Sequence, residues 1–171
     1  MTDGSLSGSA IIRSIKQCGI GTIVAVPDIH TSDGLLHPIS VDDEFRLIRV
    51  CREDEALGVM SGLTYCDVRS LLLMQHTGLL DSINAIRGVS VRYHMPTCMM
   101  VGLLSKEPGV PPSHSNHYDV RIVEPILVAM GIHYVVLETD ADLPKIVPCI
   151  ERAYERSEPV VLLVGRRPVA Q

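Results

Sequence analysis

The chain has no tryptophan, one phenylalanine and five tyrosines among its 171 residues. Aromatic rings therefore cannot build its interior. Ile, Leu, Val, Met and Ala remain, in a sequence that is 46% hydrophobic with a mean hydropathy of +0.25. Such interiors suit buried parallel strands, and the composition argues against disorder. No Cys-x-x-Cys pair occurs, and the five cysteines (Cys18, Cys51, Cys66, Cys98, Cys149) are scattered and odd in number. They read as small buried thiols in a reduced cytoplasm rather than as a disulfide framework. Cys51 stands apart because it adjoins Glu53. The net charge is −5 and no basic stripe stands out, so nucleic acid is not an expected partner. No apolar run approaches the length of a membrane span, and Met1 to Ser9 carries no signal-peptide core. Neither a Gly-x-Gly-x-x-Gly fingerprint nor a P-loop is present, which removes the usual support for nucleotide binding.

The hydrophobic pattern alternates between short apolar runs and helical periodicity. Helices are expected over about Ser9–Gln17, Glu53–Tyr65, Leu79–Val89, Asp119–Met130 and Leu143–Arg156. Strands are expected over Thr22–Val26, Phe45–Val50, Ser70–Met74, Thr97–Leu103, Tyr134–Leu137 and Pro159–Val164, all apolar on both faces. The segments Ile29–Ser40 and Lys106–Tyr118 read as polar loops, the first with room for one short helical turn and the second with three prolines. Strands alternating with helices at this spacing imply right-handed crossovers. The expected fold is one α/β domain over residues 1–171: a three-layer, six-stranded, mostly parallel sheet with helices on both faces. Open sheets of this kind bind ligands outside the carboxyl ends of their strands. Pro27–Ser40, Arg52-Glu53, Gln75–Leu79 and Leu104–Tyr118 should therefore share one edge.

Glu53 is the candidate catalytic residue, at the point where a strand hands over to a helix. An acid in a first helical turn is favoured by the helix dipole alone, so its position is not by itself a sign of chemistry. The surrounding residues add to it. Arg52-Glu53-Asp54-Glu55-Ala56 with Gly62 on the same helix, then Leu72-Leu73-Met74-Gln75-His76-Thr77-Gly78-Leu79 and Asn84, resemble the alpha subunit of sulfopyruvate decarboxylase and the pyrimidine-binding domain of phosphonopyruvate decarboxylase. Both are thiamine diphosphate enzymes. The resemblance runs from about the first helix to the last strand. It is strongest over Val26–Asn84 and weakest over Lys106–Tyr118.

The resemblance implies a lyase subunit that decarboxylates a small 2-oxo acid, with sulfopyruvate the first expectation and sulfoacetaldehyde and carbon dioxide the products. Phosphonopyruvate, another 2-oxo acid, or a non-catalytic partner-binding subunit of the same fold are the alternatives. In the family a glutamate hydrogen-bonds a ring nitrogen of the aminopyrimidine, and Glu53 takes that place. Burial would keep such an acid protonated near neutral pH. Pro27, Gln75, His76 and Gly78 are the further cofactor-binding candidates, with His76 where the family commonly has Asn and Gly78 allowing close backbone approach. Asp28, His30 and Lys106 are the substrate-binding candidates, with His37 and Arg92 as further donors for a second anion.

The family also holds the diphosphate through Mg²⁺ on a Gly-Asp-Gly motif, and this chain has none. The implied cofactor site is therefore shared: thiamine diphosphate between this chain and a diphosphate-binding beta subunit, with Mg²⁺ on the partner, in a hetero-oligomer. Met60, Leu63, Leu79, Leu80 and Ile83 are the expected apolar surface for that partner. The family's Trp-Arg near Ser105-Lys106 is missing as well, so the substrate can differ. His114 and His117 lie in a proline-rich loop without a third ligand, and no metal site is expected on this chain.

Overall fold

The computed structural model describes residues 4–170. Met1, Thr2 and Asp3, at the start of the polar amino-terminal stretch, lie outside the described residues, as does Gln171. Helix α1 (Gly8–Gln17) begins where the Ser7 hydroxyl accepts the Ala10 N–H at 3.3 Å, and Ile11, Ile12 and Ile15 form its buried stripe. Strand β1 (Thr22–Ala25) follows. A wide helical turn over Ser32–Leu36 and the short α2 (His37–Ser40) lead to β2 (Arg46–Arg49). The chain continues through α3 (Glu53–Tyr65), β3 (Ser70–Gln75), α4 (His76–Asp81), α5 (Ile83–Ala85) and β4 (Thr97–Gly102). It ends with α6 (Tyr118–Arg121), α7 (Val123–Ala129), β5 (His133–Leu137), α8 (Ile146–Arg156) and β6 (Pro159–Val164).

The six strands form one sheet in the order β2-β1-β3-β4-β6-β5, and every pairing is parallel. Two hydrophobic layers cover it. Ile11, Ile15, Leu36, Ile39, Ile146 and Ile150, from α1, the Ser32–Ser40 segment and α8, pack on one face. Ala56, Leu57, Met60, Leu79, Val123 and Leu127, from α3, α4 and α7, pack on the other. This is the three-layer α/β arrangement that the alternation predicts. The chain leaves β1 toward β2 on one side and leaves β3 toward β4 on the other. The direction of winding therefore reverses between β1 and β3, and the crevice of a doubly wound sheet opens at such a point.

Four local expectations need correction. The segment Ile29–Ser40 is largely helical rather than loop, because Asp28 turns the chain at His30 and Thr31 just ahead of the helix and Leu35, Leu36 and Ile39 are buried. The helix expected from Leu79 starts at His76: Gln75 is extended, and the chain turns directly from β3 into α4 with no intervening loop. Strand β2 is not apolar on both faces. It is an edge strand with Arg46 and Arg49 exposed, a placement that discourages pairing with a further strand. Met60 and Leu79 are core residues, 2% and 1% exposed, so they are not available to a partner; Leu63, Leu80 and Ile83 are partly exposed.

Candidate functional site

Helix α3 opens with three consecutive acids, and the structure separates them. Asp54 is engaged by Arg52, whose Nε lies 3.0 Å from its carboxylate. That guanidinium holds the Asp54 carboxyl below the ordinary carboxylate range. Glu55 turns back to accept the Cys51 N–H at 3.3 Å. Glu53 is half-buried, and among the described residues its carboxylate makes no hydrogen bond or ion pair. It rests on Gly78 instead. A Cβ placed at Gly78 would lie 2.1 Å from Glu53 Oε1 and 2.3 Å from its Cδ. Glu53 starts from the end of β2, and Gly78 belongs to the helix that follows β3. Since β1 lies between those strands, the carboxylate reaches across the β1/β3 reversal point. Gly78 thus makes room for the acid of its own chain, a role the sequence expectation of close approach to a ligand did not include.

The loop after β1 is held by its own side chains. Pro27 is exposed at the edge. The Asp28 carboxylate accepts the backbone N–H of His30 at 2.7 Å and of Thr31 at 2.9 Å, and also the Thr31 hydroxyl. Asp28 is therefore a cap with its acceptors largely occupied. His30 is buried, and its Nε2 faces the Val164 carbonyl at 3.0 Å. Desolvation is the main cause that holds its pKa below the usual histidine value. A neutral ring donating to that carbonyl carries its proton on Nε2 and leaves Nδ1 as an acceptor. Gly102 admits this packing, since a Cβ there would fall 2.9 Å from Thr31 Cγ2 and 3.0 Å from His30 Cδ2.

Lys106 presents no free cation in this chain. Its side chain is fully buried, ion-paired with Glu138, and donates to the Glu107 carbonyl at 2.9 Å. The Glu107 carboxylate in turn accepts the Ser115 hydroxyl at 2.7 Å and the Asn116 N–H at 3.0 Å, pinching the ends of the proline-rich loop together. Those bonds, with Ser115 the largest cause, pull the Glu107 pKa down to about 2. A depressed carboxylate contributes stability that is full above the unfolded pKa of 4.5 and lost as pH falls through about 2. The protection factor of the Asn116 amide against hydrogen exchange should therefore hold steady from pH 7 to pH 5. It should collapse at neutral pH in Glu107→Gln, which removes the charge; an unchanged protection factor in that variant would contradict the tie. His114 and His117 are exposed at the same loop, and His37 and Arg92 are exposed elsewhere. Among the described residues no group of three or more His, Cys, Asp or Glu side chains is placed to hold a metal ion.

Gln75 and His76 differ in what they offer. The Gln75 side-chain oxygen accepts the Thr77 hydroxyl at 2.8 Å, which leaves the amide N–H groups of Gln75 directed elsewhere. His76 is 1% exposed; its Nδ1 meets the Gly102 carbonyl at 3.3 Å and its Nε2 meets the Asp119 carboxylate at 2.9 Å. Asp119, Glu138 and Ser115 had no signal in the sequence. Asp119 and Glu138 act through partners that are distant along the chain, and Ser115 through Glu107 across the proline-rich loop. Of the cysteines, Cys18, Cys98 and Cys149 are buried, whereas Cys51 and Cys66 are exposed. Burial pushes Cys18 up to about 11 and Cys149 up to about 12.

A parallel α/β sheet whose winding reverses in this way is a doubly wound fold, in which the reversal point is the usual place for a ligand. Comparison with known proteins narrows the class. The chain is similar to sulfopyruvate decarboxylases. It is 30% identical over 95 residues to sulfopyruvate decarboxylase subunit alpha of Methanothermobacter thermautotrophicus, a match covering 56% of this chain and 57% of that protein. With subunit alpha from Methanocaldococcus jannaschii it shares 32% identity over 92 residues, 54% of each chain. With the sulfopyruvate decarboxylase of Methanosarcina acetivorans it shares 26% over 160 residues, covering 91% of this chain but 39% of that one. The chain thus spans about half, or less, of the length of the curated relatives it matches. No family model matches it. No helix of the described residues is long and apolar enough to cross a membrane.

Proposed function

We propose that this chain is the pyrimidine-binding, alpha-type subunit of a thiamine diphosphate-dependent 2-oxo acid decarboxylase, with sulfopyruvate as substrate and with Mg²⁺ and the diphosphate held by a second polypeptide. The observation that carries the proposal is Glu53: a half-buried carboxylate, without a hydrogen bond or ion pair among the described residues, lodged on Gly78 at the β1/β3 reversal, in a chain similar to sulfopyruvate decarboxylases. Three of the matching relatives are named as alpha subunits. The fourth extends well beyond its match, with length enough for a second unit in the same polypeptide. Ile29 and Tyr118 are 64% and 68% exposed at the carboxyl edge, apolar surface that a second chain would cover.

The residues present fit the aminopyrimidine half of the cofactor. An acid without a partner among the described residues can give or accept a hydrogen bond at a ring nitrogen, and the missing side chain at Gly78 leaves the space its oxygen occupies. When bound, thiamine diphosphate supplies the electron sink that lets the carboxylate of a 2-oxo acid leave as carbon dioxide. Glu53 holds and moves the proton at its carboxyl oxygen, and the second polypeptide would complete its desolvation. Gln75, whose side-chain oxygen is held by Thr77, ends β3, and Pro27 follows β1 at the same carboxyl edge of the sheet. His30 offers a neutral acceptor, and Asp28 shapes the loop that carries it. His76 and Lys106 contribute from behind, through Asp119 and Glu138.

The buried Lys106–Glu138 pair favours one second reading, a 2-oxo acid whose distal group is not a strong anion, because the loop cation is already engaged. A substrate panel separates the two. The assembled enzyme, with thiamine diphosphate and Mg²⁺, should release carbon dioxide from sulfopyruvate faster than from phosphonopyruvate or pyruvate. A preference for an uncharged 2-oxo acid would support the second reading, and failure on all 2-oxo acids would overturn both.

A further inference from the structure

Helix α4 is six residues long, begins at the very end of β3 and is interrupted at Ser82. A helix that short has little stability of its own; its position is set by what it packs on. Leu79 anchors it in the core, and His76 anchors it at the carboxyl edge. The His76 ring is sealed from solvent between two acceptors, the Gly102 carbonyl at the end of β4 and the Asp119 carboxylate near the start of α6. Gly78, two residues on, is the surface that supports Glu53. Among the described residues Glu53 has no hydrogen-bond partner, so its carboxylate is located by packing, with Gly78 directly beneath it.

We propose that His76 is a positioning residue: the Asp119–His76–Gly102 strut fixes α4, and so Gly78, and so the Glu53 carboxylate. This inference rests on the reading of Glu53 given above. It assigns His76 an indirect part in catalysis, out of reach of cofactor and substrate, and it gives Asp119 a function. Asp119 directly follows the loop that Glu107 closes, so the strut also ties the order of that loop to the placement of the acid.

The test has two arms. In the assembled enzyme, with thiamine diphosphate, Mg²⁺ and sulfopyruvate, His76→Leu should lower kcat by about 10- to 100-fold, in line with the cost of misplacing a reacting group by about 1 Å. KM should stay within roughly twofold, and His76→Gln, which keeps a donor toward Asp119, should recover part of the loss. In a Glu53→Gln background, His76→Leu should cost nothing more, since there is no acid left to position. In the isolated chain, hydrogen exchange at Thr77–Asp81 should quicken at least about tenfold in His76→Leu while β3 amides keep their protection. Independent, multiplying losses from His76→Leu and Glu53→Gln, or unchanged exchange in α4, would overturn the strut. Wild-type turnover in Glu53→Gln alone would overturn the reading of Glu53 instead. Asp119→Asn, at a half-exposed residue, serves both arms if His76→Leu does not fold.

Discussion

Adding a single methyl group at Gly78 should remove most of the activity without unfolding the protein. In Gly78→Ala the new Cβ would lie 2.1 Å from Glu53 Oε1, far inside van der Waals contact, and its three nearest atoms all belong to that acid. The helix itself gains from the change, because alanine is favoured over glycine in a helix by about 1 kcal/mol. The conflict is resolved by rotating Glu53 away. A displacement of about 1 Å at a reacting group costs on the order of 100-fold in rate, so kcat should fall by about that factor while the thermal midpoint stays level or rises. Steady-state kinetics on the assembled enzyme, paired with a melt of the same sample, checks both halves. Lost stability together with lost activity would mean that Gly78 matters for packing alone.

Glu53→Gln should have the larger effect. The amide keeps the size and the seat on Gly78 but cannot hold or release a proton at the same oxygen. Removal of a positioned general acid–base group typically costs about 100- to 10,000-fold, and the loss should lie within or above that range. The fold should be unaffected, since among the described residues the carboxylate makes no hydrogen bond or ion pair whose removal would leave a partner unsatisfied. Asp54→Asn and Glu55→Gln, on the same helical turn, should stay near wild type because both are engaged at the surface. A Glu53→Gln enzyme that assembles and turns over normally would move the proton chemistry to another residue.

The architecture was legible because its signals are local and repeated. Apolar runs such as Leu71–Met74 and Val160–Val164 could only be buried strands, and the spacing between runs set the parallel topology. The place of Glu53 followed from the same pattern, since an acid directly after an apolar run falls at a strand end. What the pattern could not supply is where long side chains find partners. Lys106 looked like a free loop cation, yet its ammonium is buried against Glu138, 32 residues along the chain and on a different strand end. His76 looked like a ligand in a polar loop, yet it begins a helix and points inward to Asp119. The short helical segment after Asp28 was hidden because its periodicity spans barely two turns, and the turn that leads into it depends on the Asp28 carboxylate accepting the His30 and Thr31 N–H groups. Edge character was hidden too: Arg46 and Arg49 flank Leu47-Ile48, and only the strand order shows that β2 has a neighbour on one side alone.

The central claim is that this chain carries one half of a shared site, and reconstitution tests it directly. The chain, a candidate diphosphate-binding chain, and the equimolar mixture should each be assayed for thiamine diphosphate binding and for carbon dioxide release from sulfopyruvate. Turnover and tight cofactor binding are expected only in the mixture, with a hetero-oligomer seen by light scattering. Full turnover by this chain alone, or a chain that stays monomeric and never alters cofactor binding by its partner, would contradict the account.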